Sequence, residues 1–371
     1  MDIPTRMRSS ILLVFCLISL LGWSQTDSAW VTQKPQSFLS FKIHYGTIYV
    51  HTSSVQNVAE SRPYGIELDM ATQKTDSTTY QLSNAYPRAG ISFSYFNFNS
   101  PILGHAVSAS YFLEPVYRLS KHWQLQLRGS VGIAYLTNPY DPEKSPDNKS
   151  YSQYLNPYLQ LGVGLGYRIS KHLSLAVMGN FQHISNGGFK EPNRGVNWIT
   201  GNIGIGYHAN NNVLPQYQHV KNKFWKGKSP WVDVGLMFVP QQGYSSKLNA
   251  ERKFMIGGLV QVTKQIGRTN ALTTGTEIYY NRFERTMPDP ANSNASPVFA
   301  GVHAGHAFLL GKVIFNQQIG LYVFNQTNYF SNYYHRWGLT YQIQKHWLTG
   351  ASLKAHADNA DFFDLRVLYR F

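Results

Sequence analysis

Between Trp123 and Tyr135 the chain alternates without a break. Trp123, Leu125, Leu127, Gly129, Val131, Ile133 and Tyr135 share one parity, and Gln124, Gln126, Arg128, Ser130, Gly132 and Ala134 share the other. The split recurs from Leu159 to Ile169, where Leu159, Leu161, Val163, Leu165 and Tyr167 oppose Gln160, three glycines and Arg168. Period two, with one wholly apolar face and one polar or tiny face, predicts strands that lie between lipid and a polar interior. A soluble sandwich would also alternate, but with more charge on its outer face.

Three tight turns share a spelling: YRLSKHW at Tyr117–Trp123, YRISKHL at Tyr167–Leu173 and YQIQKHW at Tyr341–Trp347. Short turns sit on the periplasmic side of membrane barrels and long loops outside, and alternate counting from these turns predicts about 16 strands. The stretch WGLTYQIQKHWLTGASLKAHADN echoes LGVGLGYRISKHLSLAVMGNFQHISN, which reads as a duplication. The expected fold is therefore all-β: an antiparallel transmembrane β-barrel in two similar halves of about eight strands. The halves span 25–209 and 231–371, with a polar connector at 210–230. One large barrel and two small ones fit the pattern equally. The chain ends DFFDLRVLYRF, with Phe363, Leu365, Val367, Tyr369 and Phe371 on one parity. That ending is similar to the C-terminal strand signature of bacterial outer-membrane proteins, which implies the barrel-assembly machinery as a partner.

Composition agrees with this reading. The chain has 25 Tyr, 21 Phe and 8 Trp with only 14% charged residues, and membrane barrels carry aromatic girdles at both interfaces. Arg6 and Arg8 precede the apolar run Ile11–Leu21, which is too short for a spanning helix and suits a signal peptide over 1–24. The lone cysteine, Cys16, lies in that run, so neither disulfides nor a thiol nucleophile are expected beyond it. For an exported protein the net charge of +14 points to anionic lipid rather than nucleic acid. The expected location is the outer membrane.

Chemistry concentrates in FQHISNGGFKEPNRGVNW, Phe181–Trp198. Counted outward from the Lys171 turn, Leu173, Leu175, Val177, Gly179, Phe181, His183 and Ser185 share the lipid-facing parity. The returning strand puts Asn197 on the same side as Ile199, Gly201, Ile203, Ile205 and Tyr207. A spanning strand takes about 9–11 residues, so the three polar side chains reach the outer-leaflet interface. Polar groups on a lipid face are costly and call for a reason, which a hydrolase acting on a membrane lipid would supply. His183 is placed as a base for the Ser185 hydroxyl. Asn186 and the amides around Gly187 and Gly188 are candidate oxyanion donors. The bland alternative is a surface turn, since Asn-Gly is a common turn dipeptide.

The segment HISNGGFKEPNRGVN resembles the active-site segment of the lipid A 3-O-deacylase family, outer-membrane esterases that remove the 3-linked acyl chain of lipopolysaccharide. A broader similarity of strand pattern covers roughly Gly104–His208. The resemblance implies His183 as base, Ser185 as nucleophile, Asn186 with the Gly187 and Gly188 amides as oxyanion hole, and Asn193 as support for the loop. It implies no cofactor and no metal. One departure stands out: the family's third catalytic residue is a glutamate, and Asn197 occupies that position. Glu191 is the nearest spare carboxylate and reads as a solvated loop charge. Lys190 and Arg194 are candidate contacts to lipid A phosphates. In the second half His356 echoes His183, but Asp358 stands where the serine would be and the parity is reversed, so His356 is expected in the lumen. Two functions stay open: a lipid A deacylase, and a weak or inactive relative acting as a lipopolysaccharide-binding, structural or pore protein.

Overall fold

The first strand, β1 (Gln36–Ile48), sets the pattern for the whole molecule. Leu39, Phe41, Ile43 and Tyr45 face outward and are exposed, while Phe38, Ser40, Lys42 and His44 face inward and are buried. The structure, a computed structural model, describes the chain except residues 1–34, 188–189, 211–212, 219–222, 243–251, 282–294, 328–330 and 357–358. The signal segment expected over 1–24 lies outside the described residues.

After β1 the first half continues with β2 (Tyr64–Gln73), β3 (Arg88–Asn97), β4 (His105–Glu114), β5 (Val116–Arg118), β6 (Trp123–Leu136), β7 (Leu155–Arg168), β8 (Leu173–Ile184) and β9 (Val196–His208). Sequential neighbours pair antiparallel. The short β5 carries the line of β4 past Pro115 and also pairs with β6. The ring closes between β1 and β9, with registers from Phe38↔His208 to Ile48↔Trp198. The second half is β10 (Trp231–Gln242), β11 (Arg252–Gln265), β12 (Asn270–Asn281), β13 (Val298–Leu310), β14 (Val313–Phe324), β15 (Tyr333–Gln342), β16 (Trp347–His356) and β17 (Asn359–Arg370). It forms its own closed barrel through β10 and β17, and the Phe371 amide donates to the Val232 carbonyl at 3.0 Å. Two small barrels are therefore present, not one large one.

Eight strands leave an interior just wide enough for side chains to fill, and both interiors are full. In the first barrel Lys42 Nζ lies 2.6 Å from Glu67 and 2.7 Å from Asp69. Arg128 reaches Asp69 at 2.8 Å and Glu114 at 3.3 Å, and Arg88 reaches Glu114 at 2.9 Å. Lys42, Arg88 and Arg128 thus balance Glu67, Asp69 and Glu114, and buried charge is tolerable only when paired in this way. The Arg128 guanidinium also stacks on Phe112, 3.7 Å from the ring centroid. In the second barrel Arg336 bridges Glu277 at 2.7 Å and Asp364 at 2.6 Å. Lys354 donates to the hydroxyls of Tyr279 and Tyr322 there.

Toward the outer end of the first barrel the lumen turns apolar. Trp198, Ile184, Phe96, Phe98, Leu136 and Tyr158 pack in one buried cluster. This cluster anchors the outer ends of β8 and β9, because Ile184 and Trp198 point inward from the same two strands that carry His183 and Asn197 outward.

At the opposite end a short helix, α1 (Ser77–Ser83), is capped by Asp76, whose carboxylate accepts from the Thr79 amide at 2.8 Å. The segment after β9 contributes more than polar linkage. Leu214 is buried beside Tyr86 and Val116, with Tyr80 and Tyr217 packed against them.

Candidate active site

In the β8–β9 pair His183 stands directly opposite Asn197. Directly opposed residues of an antiparallel pair share a face with their Cβ atoms about 4.5–5.5 Å apart. Ser185, two residues beyond His183, follows on that same face just past the strand end. The result is a hydrogen-bonded chain: His183 Nε2 lies 2.9 Å from Ser185 Oγ, and His183 Nδ1 lies 2.5 Å from Asn197 Oδ1. An amide carbonyl only accepts, so Nδ1 carries the proton and Nε2 is left as an acceptor for the serine hydroxyl. That is the tautomer a general base requires. Asn197 is 8% exposed, whereas His183 and Ser185 are half-buried and reachable from the membrane side.

A fourth residue completes the chain. Asn197 Nδ2 donates to His51 Nδ1 at 2.8 Å. His51 is 146 positions away and carried no local signal in the sequence. Barrel closure brings it near: β1 pairs with β9 up to Ile48↔Trp198, and the Tyr49 amide donates to the Asn197 backbone carbonyl at 2.8 Å.

The loop from Ser185 to Gly195 is held by its own polar groups. The Asn186 amide donates to Asn193 Oδ1 at 2.9 Å, which gives Asn193 a role in supporting the loop. Asn186 is buried, and its side-chain amide donates to the Lys190 carbonyl at 2.6 Å. Ser152 Oγ reaches the same carbonyl at 2.7 Å, and the Gly195 amide donates to the Ser150 carbonyl at 2.7 Å. These donors of Asn186 therefore build the loop instead of facing a substrate oxygen, which leaves Gly187 as the described oxyanion candidate. Gly187 adopts φ +63, a left-handed conformation that favours glycine. Gly188 lies outside the described residues. Glu191 is exposed and accepts from the Asn193 amide at 3.0 Å, so it caps the loop.

Two glycines set the walls. A Cβ at Gly195, where φ is +74, would come within 3.0 Å of His183 Cε1, so this glycine lets the backbone pass beneath the imidazole. A Cβ at Gly187 would meet Phe363 Cβ of β17 at 2.9 Å, which places the second barrel against the loop. Neither contact was legible as a site feature from the segment alone.

Lys190 and Arg194 are both exposed at the rim, and the Arg194 amide bonds the Lys149 carbonyl at 3.2 Å, which adds another exposed lysine to that edge. In the second barrel His356 is buried inside and stacks on Tyr322 with ring centroids 5.8 Å apart. Asp358 lies outside the described residues. Among the described residues no group of three or more His, Cys, Asp or Glu side chains converges as a metal site.

Fold and site together define a membrane β-barrel protein that presents a serine–histidine pair on its outer, lipid-facing surface. Residues 67–206 match the family described as Lipid A 3-O-deacylase (PagL), and residues 230–371 match the one described as Acyloxyacyl hydrolase, C-terminal domain. The chain belongs to this PagL-type family of outer-membrane barrels. Among solved structures, the outer membrane enzyme PagL is similar at 16% identity and a TM-score of 0.33, over 44% of this chain and 97% of that one. Neisserial surface protein A aligns at 7% identity and 0.34, over 46% and 96%. The N-terminal β-barrel domain of Pseudomonas aeruginosa OprF aligns at 12% and 0.28, over 47% and 99%. No curated protein matches the chain.

Proposed function

We propose that the protein is an outer-membrane esterase that removes a 3-O-linked acyl chain from lipid A, with Ser185 as nucleophile and His183 as base. The observation that carries this reading is the Ser185–His183–Asn197 chain, joined at 2.9 and 2.5 Å on a membrane-facing surface. Ser185 Oγ attacks the ester carbonyl while His183 Nε2 takes its proton. The developing oxyanion meets backbone donors at the Gly187 turn. His183 then returns the proton to the departing 3-hydroxyl oxygen as the carbon–oxygen bond breaks. Water, deprotonated by His183 Nε2, attacks the acyl-serine, and His183 returns that proton to Ser185 Oγ as the acyl–oxygen bond breaks and the fatty acid leaves. Asn197 Oδ1 holds the imidazole through both steps. Lys190 and Arg194 at the rim suit the phosphates of lipid A.

The rival reading is a weak or inactive relative that binds lipopolysaccharide or serves as a structural or pore protein. Asn197 in place of a carboxylate favours it. The paired charges that fill both lumens argue against the pore variant. Mass spectrometry of lipid A from cells expressing the parent and Ser185→Ala chains tests the proposal. Loss of one 3-O-linked acyl chain with the parent only supports it; identical lipid A from both, with folded barrels in the membrane, overturns it.

A further inference from the structure

Asn197 differs from a carboxylate in a way that geometry alone cannot tolerate. A carboxylate presents two equivalent acceptors, whereas an amide has an accepting end and a donating end. If the Asn197 amide turned over, its NH2 would face the N–H at His183 Nδ1. The ring would have to move its proton to Nε2, and the acceptor for the Ser185 hydroxyl would vanish. Something must therefore hold the amide in one sense.

The atom on its other side is an acceptor. His51 Nδ1 receives the Asn197 Nδ2–H at 2.8 Å while Asn197 Oδ1 takes the His183 Nδ1–H at 2.5 Å. Reversal would break both bonds at once. His51 is itself placed by the chain leaving β1, tied down by the Tyr49 amide on the Asn197 carbonyl at 2.8 Å. We propose that His51 is a positioning residue: it fixes the Asn197 amide with its carbonyl toward His183, and so keeps His183 Nε2 open to the serine proton. Its catalytic consequence rests on the hydrolase reading; its effect on the His183 tautomer does not.

The test uses the full chain in lipid–detergent micelles, with His51→Phe and His51→Gln each made in the parent and in the Asn197→Asp background. Two quantities are read: kcat and KM on 3-O-acylated lipid A, and the ring-15N shifts of His183, which report its tautomer without turnover. Losing one fixing hydrogen bond should lower kcat of His51→Phe roughly tenfold, with KM little changed. His183 should move toward a mixed tautomer. His51→Gln, which keeps a side-chain carbonyl as acceptor, should recover most of the loss. In the Asn197→Asp background the loss should shrink, because two equivalent oxygens need no orienting. An unchanged kcat and tautomer in His51→Phe overturns the proposal, as does an equal loss in both backgrounds, which marks a packing role. If no variant cleaves lipid A while the His183 tautomer still shifts, the positioning role stands and the hydrolase reading fails.

Discussion

Replacing Asn197 by Asp changes charge at constant shape, and it isolates what the amide lacks. The Asp oxygen takes the place of Oδ1, 2.5 Å from His183 Nδ1, so the tautomer and the ring orientation are kept. What is added is a full negative charge beside the imidazolium that forms when Ser185 gives up its proton. Two unit charges about 4 Å apart attract by about 4 kcal/mol at an effective dielectric of about 20. His183 and Ser185 are half-buried and open toward the headgroup region. Screening there removes up to about half of this, so the expected gain lies at about 2–4 kcal/mol, or about 30-fold to 10³-fold in kcat. The reverse change in one serine triad cost about 10⁴, mainly through a wrong tautomer. The tautomer is already correct here, so the gain should fall short of that figure.

The assay is release of the 3-O-linked acyl chain from purified lipid A, followed by mass spectrometry, with Ser185→Ala as the blank. Asn197→Glu brings the same charge on a side chain one methylene longer. With only 2.5 Å between the amide oxygen and Nδ1, that methylene must buckle, so its gain should be smaller than for Asp. A folded Asn197→Asp barrel with kcat within twofold of an active parent would refute the charge argument. A slower one would mean that the site works best with a neutral third member.

Other perturbations reach different parts of the structure. Gly195→Ala imposes a side chain at φ +74 and 3.0 Å from His183 Cε1; the left-handed conformation alone costs about 1–2 kcal/mol. It should lower kcat with a modest loss of thermal stability, and an unchanged kcat would separate this glycine from the site. Lys190→Gln with Arg194→Gln removes about 1 kcal/mol of surface attraction each. KM on phosphorylated lipid A should rise severalfold per charge, and an unchanged KM removes both from substrate binding. Arg128→Met leaves the three buried carboxylates Glu67, Asp69 and Glu114 with only Lys42 and Arg88 to balance them. Breaking a buried pair costs about 3–5 kcal/mol, so urea denaturation in detergent should shift markedly, and an unshifted midpoint contradicts the lumen charge balance. Deleting Phe371, whose amide pairs with Val232, should lower the outer-membrane yield far more than Glu60→Ala at an exposed loop position. Equal yields would count against the closing register.

The parity of the strands was legible because lipid and lumen impose opposite polarity on neighbouring residues, and this fixed the direction in which His183, Ser185 and Asn197 point. The Ser185–His183 spacing is local, so two residues on one face sufficed to suggest it. Closure was not legible: sequential antiparallel pairing reads the same for one barrel or two, and the β1–β9 and β10–β17 registers decide. His51 was hidden for the same reason, since its neighbour across the closing seam lies 146 positions on. Asn186 shows a further limit. A motif indicates which polar residues gather, but not whether their donors turn toward a substrate or, as here, into the Lys190 carbonyl and Asn193. The connector misled by composition, because Leu214 and Tyr217 pack against Tyr80 and Tyr86 at the inner end of the barrel.

The second barrel bears on the site although it supplies none of its four hydrogen-bonded residues. At the inner end Arg268, in the turn between β11 and β12, donates to the Gln81 carbonyl of α1. Its guanidinium lies over the Phe224 and Trp225 rings of the connector, 5.9 and 5.6 Å from their centroids. At the outer end Phe363 of β17 closes on Gly187 so tightly that a single added carbon would collide at 2.9 Å. Contacts at both ends hold the second barrel beside the first, and one of them falls on the turn whose amide is the remaining described candidate for the oxyanion. A loop with left-handed glycines at Gly187 and Gly195 is easily displaced unless something packs against it. The second barrel braces the loop that, on the proposed hydrolase reading, carries the oxyanion donor.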